Sequence, residues 1–325
     1  MLGSRWGCMP LVAAVALVLT ALSWLGAGWV WSGPLAHDAE FVVADGSSLS
    51  SVANKLQAEG VIGSAAAFKL RARVFGMGST IKAGEFKLPA QASMRQVLGI
   101  IASDEVLRRF VTIPEGMPSI MVYDRLMANP SLTGSIEVPP EGSVLPDTYE
   151  IAKGESRQAV VLRMQAAMQR TLAEQWAKRS PDTVAKTPGE AVVLASIVEK
   201  ETGKPSERPM VAGLYSNRLR TGMQLQADPT IIYPITKGKP LGRRIRQSEI
   251  NAVNDYNTYA MFGLPKGPIT NPGRLSIAAV LNPAKTEAVY MVADGSGGHA
   301  FAATLAEHNA NVQKWFTIRK NRGDF

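Results

Sequence analysis

Two glutamates at the end of one apolar segment are the residues best placed to do chemistry. Residues 187–203 contain a nearly unbroken apolar run that ends in Glu199, Lys200 and Glu201. Partial desolvation beside a core raises the pKa of a carboxyl group, which can then hold a proton near neutral pH and act as a general acid. The alternative is that both glutamates only solvate a helix end, as most charged residues near a terminus do.

The ends of the helix that carries these glutamates are marked in the sequence. Thr187 can cap it, Pro188 suits its first turn, and Glu190 occupies the capping-box position. We expect Gly203 to close the helix in the left-handed conformation. Only Ser196 interrupts the apolar run, so the sequence predicts a helix that is buried on most sides.

Composition indicates a folded chain that is long enough for two domains. It has 325 residues, of which 46% are hydrophobic and 19% are charged. A formal net charge of +8 suits an acidic polymer, an anionic membrane or nucleic acid equally well. The single cysteine, Cys8, allows no disulfide framework, and the three histidines show no metal-ligand spacing. We therefore predict no metal and no cofactor.

An uncharged segment near the N-terminus predicts a membrane anchor. Residues 6–36 contain no charged side chain, and their apolar part is about as long as a bilayer-spanning helix. Arg5 precedes it, whereas Asp38 and Glu40 follow it, so we expect the N-terminus in the cytoplasm and the rest outside. A signal peptide cleaved near residues 21–23 is the alternative. An anchor fits better because the apolar stretch continues beyond that point.

The segment after the anchor has the pattern of a small mixed module. A strand near Phe41, a turn at Asp45-Gly46 and a helix precede a second helix, a second strand and a helix capped by Ser93. This order resembles a LysM-like module, a fold associated with N-acetylated glycans; a spacer domain is the alternative. The sequence thus predicts an α+β protein with an anchor, a LysM-like module and a larger α+β catalytic domain, at residues 1–36, 37–105 and 106–325.

Ordered sequence blocks cover most of the larger domain. They include Ala-Ser-Ile-Val-Glu-Lys-Glu-Thr at residues 195–202 and Tyr-Asn-Thr-Tyr at residues 256–259. Further blocks lie at residues 141–149, 207–219, 223–233, 263–269, 271–273, 281–285, 292–294, 297–299 and 307–309. In these blocks the chain resembles the endolytic murein transglycosylase family, also called MltG or YceG-like.

The resemblance implies cleavage of the β-1,4 bond between N-acetylmuramic acid and N-acetylglucosamine within peptidoglycan strands. The new end would be a 1,6-anhydromuramic acid, formed without water, so one glutamate can serve as both acid and base. By this likeness the catalytic residue is Glu199, and Glu201 pairs with a basic neighbour. Periodicity does not choose between them, because residues two positions apart point to different faces of a helix.

A polar cluster after the next helix predicts the sugar-binding cleft. Polar residues alternate with apolar ones between 224 and 230, so in an extended segment they would line one side. The Tyr-Asn-Thr-Tyr block adds aromatic faces and an amide. Alternatively, these groups satisfy buried loop backbone. The predicted substrate-binding residues are Gln226, Asp228, Tyr256, Asn257 and Asn217.

The predicted location and partners follow from the anchor and the resemblance. We expect a single-pass protein of the inner (cytoplasmic) membrane, with the catalytic part periplasmic or extracellular. Its partners would be peptidoglycan glycan strands and penicillin-binding proteins or other cell-wall synthases, with no nucleic acid. Two alternatives stay open: a lysozyme-type hydrolase that uses Asp228 as second carboxylate, and a non-catalytic glycan-binding scaffold.

Overall fold

The chain forms two compact units. A computed structural model describes residues 9–76 and 79–323, with no side-chain description for residues 9–11. The units are Met1–Arg109 and Phe110–Phe325, divided close to the predicted boundary after residue 105. Arg5 and Cys8, which bear on the predicted membrane topology and on disulfide formation, lie outside the described residues.

The first unit has the predicted order of strand, two helices and strand. Its β1 and β2 pair antiparallel, with Phe41 opposite Phe86, and both rings are fully buried. The side chain of Ser93 caps the last helix, as predicted. The elements are α1 (Met9–Val30), β1 (Ala39–Val43), α2 (Leu49–Ala58), α3 (Ala65–Phe75), β2 (Gly84–Leu88) and α4 (Met94–Ile101).

The helix α1 is long and apolar enough to cross a membrane. The qualifying stretch is Val12–Val30, and among the described residues it is the one segment with this property. Only 6% of its most apolar window is buried within the protein. Length and composition are therefore compatible with the predicted anchor.

The end of α1 packs on the rest of the first unit. Trp29 is buried and its ring centroid lies 5.9 Å from that of Phe75 in α3. The buried guanidinium of Arg71 donates to the main-chain oxygens of Leu25 at 3.2 Å and Trp24 at 3.0 Å. The last turns of α1 are thus part of the core of this unit.

The second unit is mainly helical, with two short pairs of strands. Its β3 pairs with β4, and β5 pairs antiparallel with β6. The core centres on α7, where every residue from Ala191 to Val198 is buried and which packs against α6, α8, α9 and α11. The elements are β3 (Arg109–Thr112), α5 (Ser119–Met127), β4 (Thr148–Ile151), α6 (Arg157–Ala177), α7 (Pro188–Glu201), α8 (Arg208–Arg220), α9 (Asp228–Thr236), α10 (Gln247–Ile250), α11 (Arg274–Leu281), β5 (Tyr290–Ala293), β6 (His299–Ala302) and α12 (Leu305–Arg322).

The start of α7 follows the prediction for the Thr187 cap, although the Glu190 carboxylate accepts the Lys186 amide at 2.7 Å and forms no capping box with Thr187. The Thr187 hydroxyl accepts the Glu190 amide at 3.1 Å, so the predicted cap is confirmed. The end of α7 does not follow the prediction. The predicted left-handed Gly203 is wrong: the chain leaves the helix at Thr202, which is extended, with φ −135° and ψ 130°. The Thr202 hydroxyl donates to Glu207 at 3.1 Å. This side-chain hydrogen bond stabilises the turn after α7 in place of a left-handed glycine.

One buried amide joins three loops around the core of the second unit. Asn271 is fully buried, and its Nδ2 donates to the Met117 oxygen at 2.9 Å and to the Ser119 hydroxyl at 3.0 Å. Its Oδ1 accepts the amide of Val144 at 3.1 Å. Because these groups are buried, loss of the Asn271 amide would leave the Met117 oxygen and the Val144 amide without these hydrogen bonds.

We therefore expect Asn271→Ala to lower the free energy of unfolding by about 3 kcal/mol, since it leaves buried donors and acceptors unsatisfied. Chemical unfolding of the full chain in detergent measures the change. The control is Asn251→Ala, because Asn251 is exposed and, within residues 9–76 and 79–323, its side chain accepts a hydrogen bond only from Gln247, at 3.1 Å. Equal stability of the two variants would contradict this role for Asn271.

Candidate active site

Glu199 is buried at the end of α7 and is surrounded by hydrogen-bond donors. Its side chain is 4% exposed. Oε1 lies 2.9 Å from Nη2 of Arg208, and Oε2 accepts the Gly273 amide at 2.8 Å and the Ser276 hydroxyl at 2.7 Å. Charge-assisted bonds of this kind hold a carboxylate in one position. Glu199 therefore ties α7 to α8 and to the start of α11.

The cation of this cluster serves a second carboxylate as well. Nη2 of the buried Arg208 lies 2.8 Å from Oε2 of Glu115, which is 41% exposed. Nε and Nη1 of Arg208 have no hydrogen-bond partner among the residues described. We predicted that one of the two glutamates pairs with a basic neighbour. The structure gives the ion pair to Glu199, whereas the prediction gave it to Glu201.

Glu201 has a different environment from Glu199. Burial raises the pKa of Glu201 to about 7, and the Asp228 carboxylate adds to the increase, against smaller opposing effects of the Tyr215 hydroxyl and Arg218. Its Oε1 is closed to water and has no hydrogen-bond partner in the described part of the chain. A carboxyl group with these properties can hold a proton near neutral pH and release it to a substrate.

Asp228 stands at the start of α9, close enough to Glu201 to act on its charge. It is exposed, and its Oδ1 accepts the hydroxyl of Tyr259 at 2.7 Å. Burial, followed by the bond to Asp228, raises the pKa of Tyr259 well above its usual value. Tyr259 therefore stays a donor and holds the Asp228 carboxylate in place.

Gln226 is exposed next to this group, although the segment around it is not the extended line that we predicted. Its backbone is left-handed, with φ 52°, and its side-chain oxygen lies 3.4 Å from Arg218. The alternation of polar and apolar residues ends where α9 begins. Thr230 is buried, and its hydroxyl is hydrogen-bonded to the Thr258 hydroxyl at 2.9 Å. Gln226 and Asp228 thus remain candidates for binding, while Thr230 belongs to the core.

Two of the predicted binding residues use their side-chain amides within the fold, and a binding role for them stays a prediction. Asn257 is fully buried, and its Nδ2 donates to main-chain oxygens of its own loop, including that of Ala252 at 2.7 Å. Asn217 donates to the oxygens of Thr286 at 2.7 Å and Ala288 at 3.1 Å. Both amides satisfy loop backbone, which is the alternative raised for this cluster.

Tyr256 packs against Tyr233 of α9, away from Asp228, the first residue of that helix. Its ring centroid lies 4.8 Å from that of Tyr233, at an interplanar angle of 46°. The residue is half-buried, so an edge of the ring reaches the surface. No contact places it beside Glu201 among the residues described, and its predicted binding role stays a prediction.

Several residues of the site were not singled out from the sequence. Arg208 opens the helix after the two glutamates, and a buried cation so close in sequence to two acids is a signal that could have revealed the ion pair. Tyr215 and Tyr259 lie within the blocks quoted above but carry no spacing signal. No group of three or more His, Cys, Asp or Glu in residues 9–76 and 79–323 could hold a metal ion.

Comparison with known proteins agrees with the resemblance read from the sequence. Residues 41–314 match the sequence profile of the YceG-like family. The chain belongs to this family. The matched region contains both glutamates, Arg208, Asp228 and Tyr259, so the whole candidate site lies within it.

Two bacterial relatives and one solved structure extend the YceG-like comparison. The endolytic murein transglycosylase of Bacillus subtilis (strain 168) is 25% identical over 315 residues, which cover 86% of this chain and 85% of the relative. That of Streptococcus pneumoniae (strain D39) is 29% identical over 246 residues, but the match covers only 42% of its length. A crystal structure of a yceG-like protein from Listeria monocytogenes superposes with a TM-score of 0.53 at 25% identity, covering 84% of this chain and 98% of that one.

The electrostatics of the site predict a change in the pKa of Glu201 when Asp228 is neutralised. We expect Asp228→Asn to lower this pKa from about 7, although it stays above its usual value because burial is the larger cause. Carbon-13 NMR titration of labelled glutamate carboxyls in the full chain, assigned with Glu201→Gln, measures it. Asp255→Asn is the control, since Asp255 is exposed and pairs with Lys266 at 2.9 Å. An unchanged or higher pKa in Asp228→Asn would rule out the proposed repulsion.

Proposed function

We propose that this YceG-like chain is an endolytic lytic transglycosylase of peptidoglycan and that Glu201 is its catalytic acid and base. The observation that carries the assignment is the Glu201 carboxyl, with a pKa near 7 and a buried Oε1 that lacks a partner within the described chain. Its relatives in Bacillus subtilis and Streptococcus pneumoniae are named endolytic murein transglycosylases. The transglycosylase activity and the role of Glu201 in it can therefore be tested together.

The choice of Glu201 replaces the Glu199 assignment made from resemblance. Both oxygens of Glu199 accept hydrogen bonds, from Arg208, Gly273 and Ser276, so neither oxygen is free to carry a proton to a sugar. A general acid needs its proton within hydrogen-bond reach of the leaving oxygen. Glu201 is half-buried, and the exposed Asp228 stands beside it. This environment supports Glu201 as the group that meets the glycan.

In the proposed reaction, Glu201 gives its proton to the glycosidic oxygen that joins N-acetylmuramic acid to the departing N-acetylglucosamine. The bond from that oxygen to C1 of the N-acetylmuramic acid breaks. The 6-hydroxyl of the same N-acetylmuramic acid attacks C1 and its proton goes to the Glu201 carboxylate. The anhydro ring closes, Glu201 is protonated again, and no water is consumed. The substrate's N-acetyl oxygen and the Asp228 carboxylate can stabilise the positive charge that develops at C1.

A hydrolase is the second candidate function, because Asp228 could act as a second carboxylate. A retaining or inverting glycosidase needs two carboxyl groups around the bond, and Asp228 is near enough to Glu201 to raise its pKa. Mass spectrometry separates the two reactions, because hydrolysis leaves a reducing end one water heavier than the anhydro end. Murein binding without any new ends would instead favour the non-catalytic scaffold.

The first unit fits a role in anchoring the enzyme near its substrate. The apolar α1 supports a single-pass anchor in the cytoplasmic membrane, with the N-terminus inside and the catalytic unit in the periplasm or outside the cell. The order of strand, two helices and strand supports a LysM-like module that binds glycan. Penicillin-binding proteins or other cell-wall synthases would be the protein partners of such an enzyme.

The central test compares Glu201→Gln with Glu199→Gln. Glu201→Gln should lower the rate of formation of anhydro ends by at least about 100-fold, because glutamine cannot transfer the proton, and should leave the chain folded. Glu199→Gln should lower the free energy of unfolding by about 3 kcal/mol, because it breaks a buried ion pair. Mass spectrometry of purified murein digested by the full chain, with unfolding curves for both variants, gives the two measurements. Full activity of Glu201→Gln, or a stable but inactive Glu199→Gln, would reverse the assignment.

The protonation state of Glu201 also sets the pH dependence. The acid has to start protonated, so we expect the rate per enzyme at low substrate to fall as pH rises above about 7. In Asp228→Asn the fall in rate at alkaline pH should begin at a lower pH, because the pKa of Glu201 is lowered. Rates between pH 5 and 9 on solubilised glycan strands test this; a rate that keeps rising above pH 8 speaks against Glu201 as the acid.

A further inference from the structure

A cavity adjoins the candidate site and has no role in the reaction described above. Its volume is about 440 Å³, within the range of about 300–1,000 Å³ that is typical of ligand sites. Lys200, which precedes Glu201, and Pro229, which follows Asp228, both line it. The two elements that bring the site's carboxyl groups together therefore also form the wall of this cavity.

The lining of the cavity is aliphatic and contains no aromatic ring. Met117, Met121 and Ile232 contribute its apolar surface, together with several prolines. Sugar rings commonly pack on aromatic faces, whereas aliphatic surface suits the methyl and methylene groups of a peptide. The lining thus fits a peptide better than another sugar of the strand.

Lys200 is the charge at this cavity that is available to a ligand. Lys239 also lines it, but its Nζ lies 2.7 Å from Asp124. Glu115 also lines it and lies 2.8 Å from Arg208, which it shares with Glu199, so these three groups together carry one negative charge. Lys200 is exposed and has no ion pair or hydrogen bond within the described residues. An ammonium group beside an aliphatic surface attracts a carboxylate on an apolar chain.

We propose that this cavity binds the peptide stem of the N-acetylmuramic acid at the cleaved bond, with Lys200 pairing with a stem carboxylate. The proposal rests on the proposed function, because it takes the substrate to be peptidoglycan. The sugars of the strand are uncharged once the lactyl group is amide-linked, so the stem supplies the carboxylates. The stem branches from the same N-acetylmuramic acid whose glycosidic bond is cleaved with the help of Glu201, which agrees with a cavity next to Glu201.

The first test measures cleavage of two substrates by the full chain. Glycan strands with intact stems are compared with strands from which an amidase has removed the stems and whose freed lactyl carboxylates have then been converted to uncharged amides. We expect Lys200→Met to lower kcat/KM about fivefold on stem-bearing strands, as a partly exposed ion pair allows, and less than twofold on stripped strands. Lys200→Glu should lower it further, and Lys200→Arg should restore most of it. Equal losses on both substrates, or none on either, overturn the proposal.

Lys186→Met is the matched control. Lys186 is exposed just before α7, at the end of the helix opposite to Lys200, and its backbone amide rather than its side chain bonds Glu190. We expect no change with either substrate. Because the charges that act on Glu201 are those of Asp228 and Arg218, removing the Lys200 charge should leave the acid unaltered. The pH profile of Lys200→Met on stripped strands checks this.

A binding measurement separates this proposal from the proposed function. Titration of the full chain with N-acetylmuramyl tripeptide, followed by NMR, should give a Kd about fivefold weaker for Lys200→Met and unchanged for Lys186→Met. A chain that binds the peptide through Lys200 but makes no new ends would refute the transglycosylase assignment and keep the stem site. A chain that makes anhydro ends but binds the peptide equally well without Lys200 would refute the stem site alone.

Discussion

The buried ion pair between Glu199 and Arg208 is the constraint on which the candidate site depends. The pair buries two charges at the junction of α7, α8 and α11. Gly273 and Ser276 donate two further hydrogen bonds to the Glu199 carboxylate. Desolvation of such a pair is costly, so its net contribution to stability is small, while the loss of one partner is strongly destabilising. The pair therefore acts mainly as a positional constraint that holds the end of α7 against α8 and α11.

This placement of the helix end gives two neighbouring glutamates opposite surroundings. Two positions along a helix rotate a side chain to the far side, so the donors that hold Glu199 cannot reach Glu201. Glu201 instead meets Asp228, and burial and repulsion together raise its pKa to about 7. A carboxyl group that its environment keeps protonated near neutral pH is typical of enzymes that need one group to carry a proton. Here the end of a single helix provides that environment for Glu201.

Local patterns predicted the elements well and the site less well. The apolar run and Thr187 defined the start of α7, and the strands and helices of the first unit followed from caps and alternation. These features depend on residues close in sequence. The exit at Thr202 depends on Glu207, and the burial of Asn257 depends on the carbonyl groups that its own loop turns inward. Such hydrogen bonds are decided by tertiary placement, which residue spacing does not encode. The choice between Glu199 and Glu201 depends on tertiary placement as well, because it requires the position of Arg208.

The burial of Glu201 also connects stability with chemistry. The folded chain keeps this carboxyl protonated up to about pH 7, whereas an exposed glutamate releases its proton near 4.5. Between these values the folded state binds more protons than the unfolded state, so the free energy of unfolding falls as pH rises through this range. The contribution of Glu201 is favourable below about pH 4.5 and is lost above about pH 7. Near neutral pH the site therefore keeps a carboxyl group that lowers the free energy of unfolding. A group kept at such a cost to the fold is more consistent with a proton carrier than with a solvated helix end.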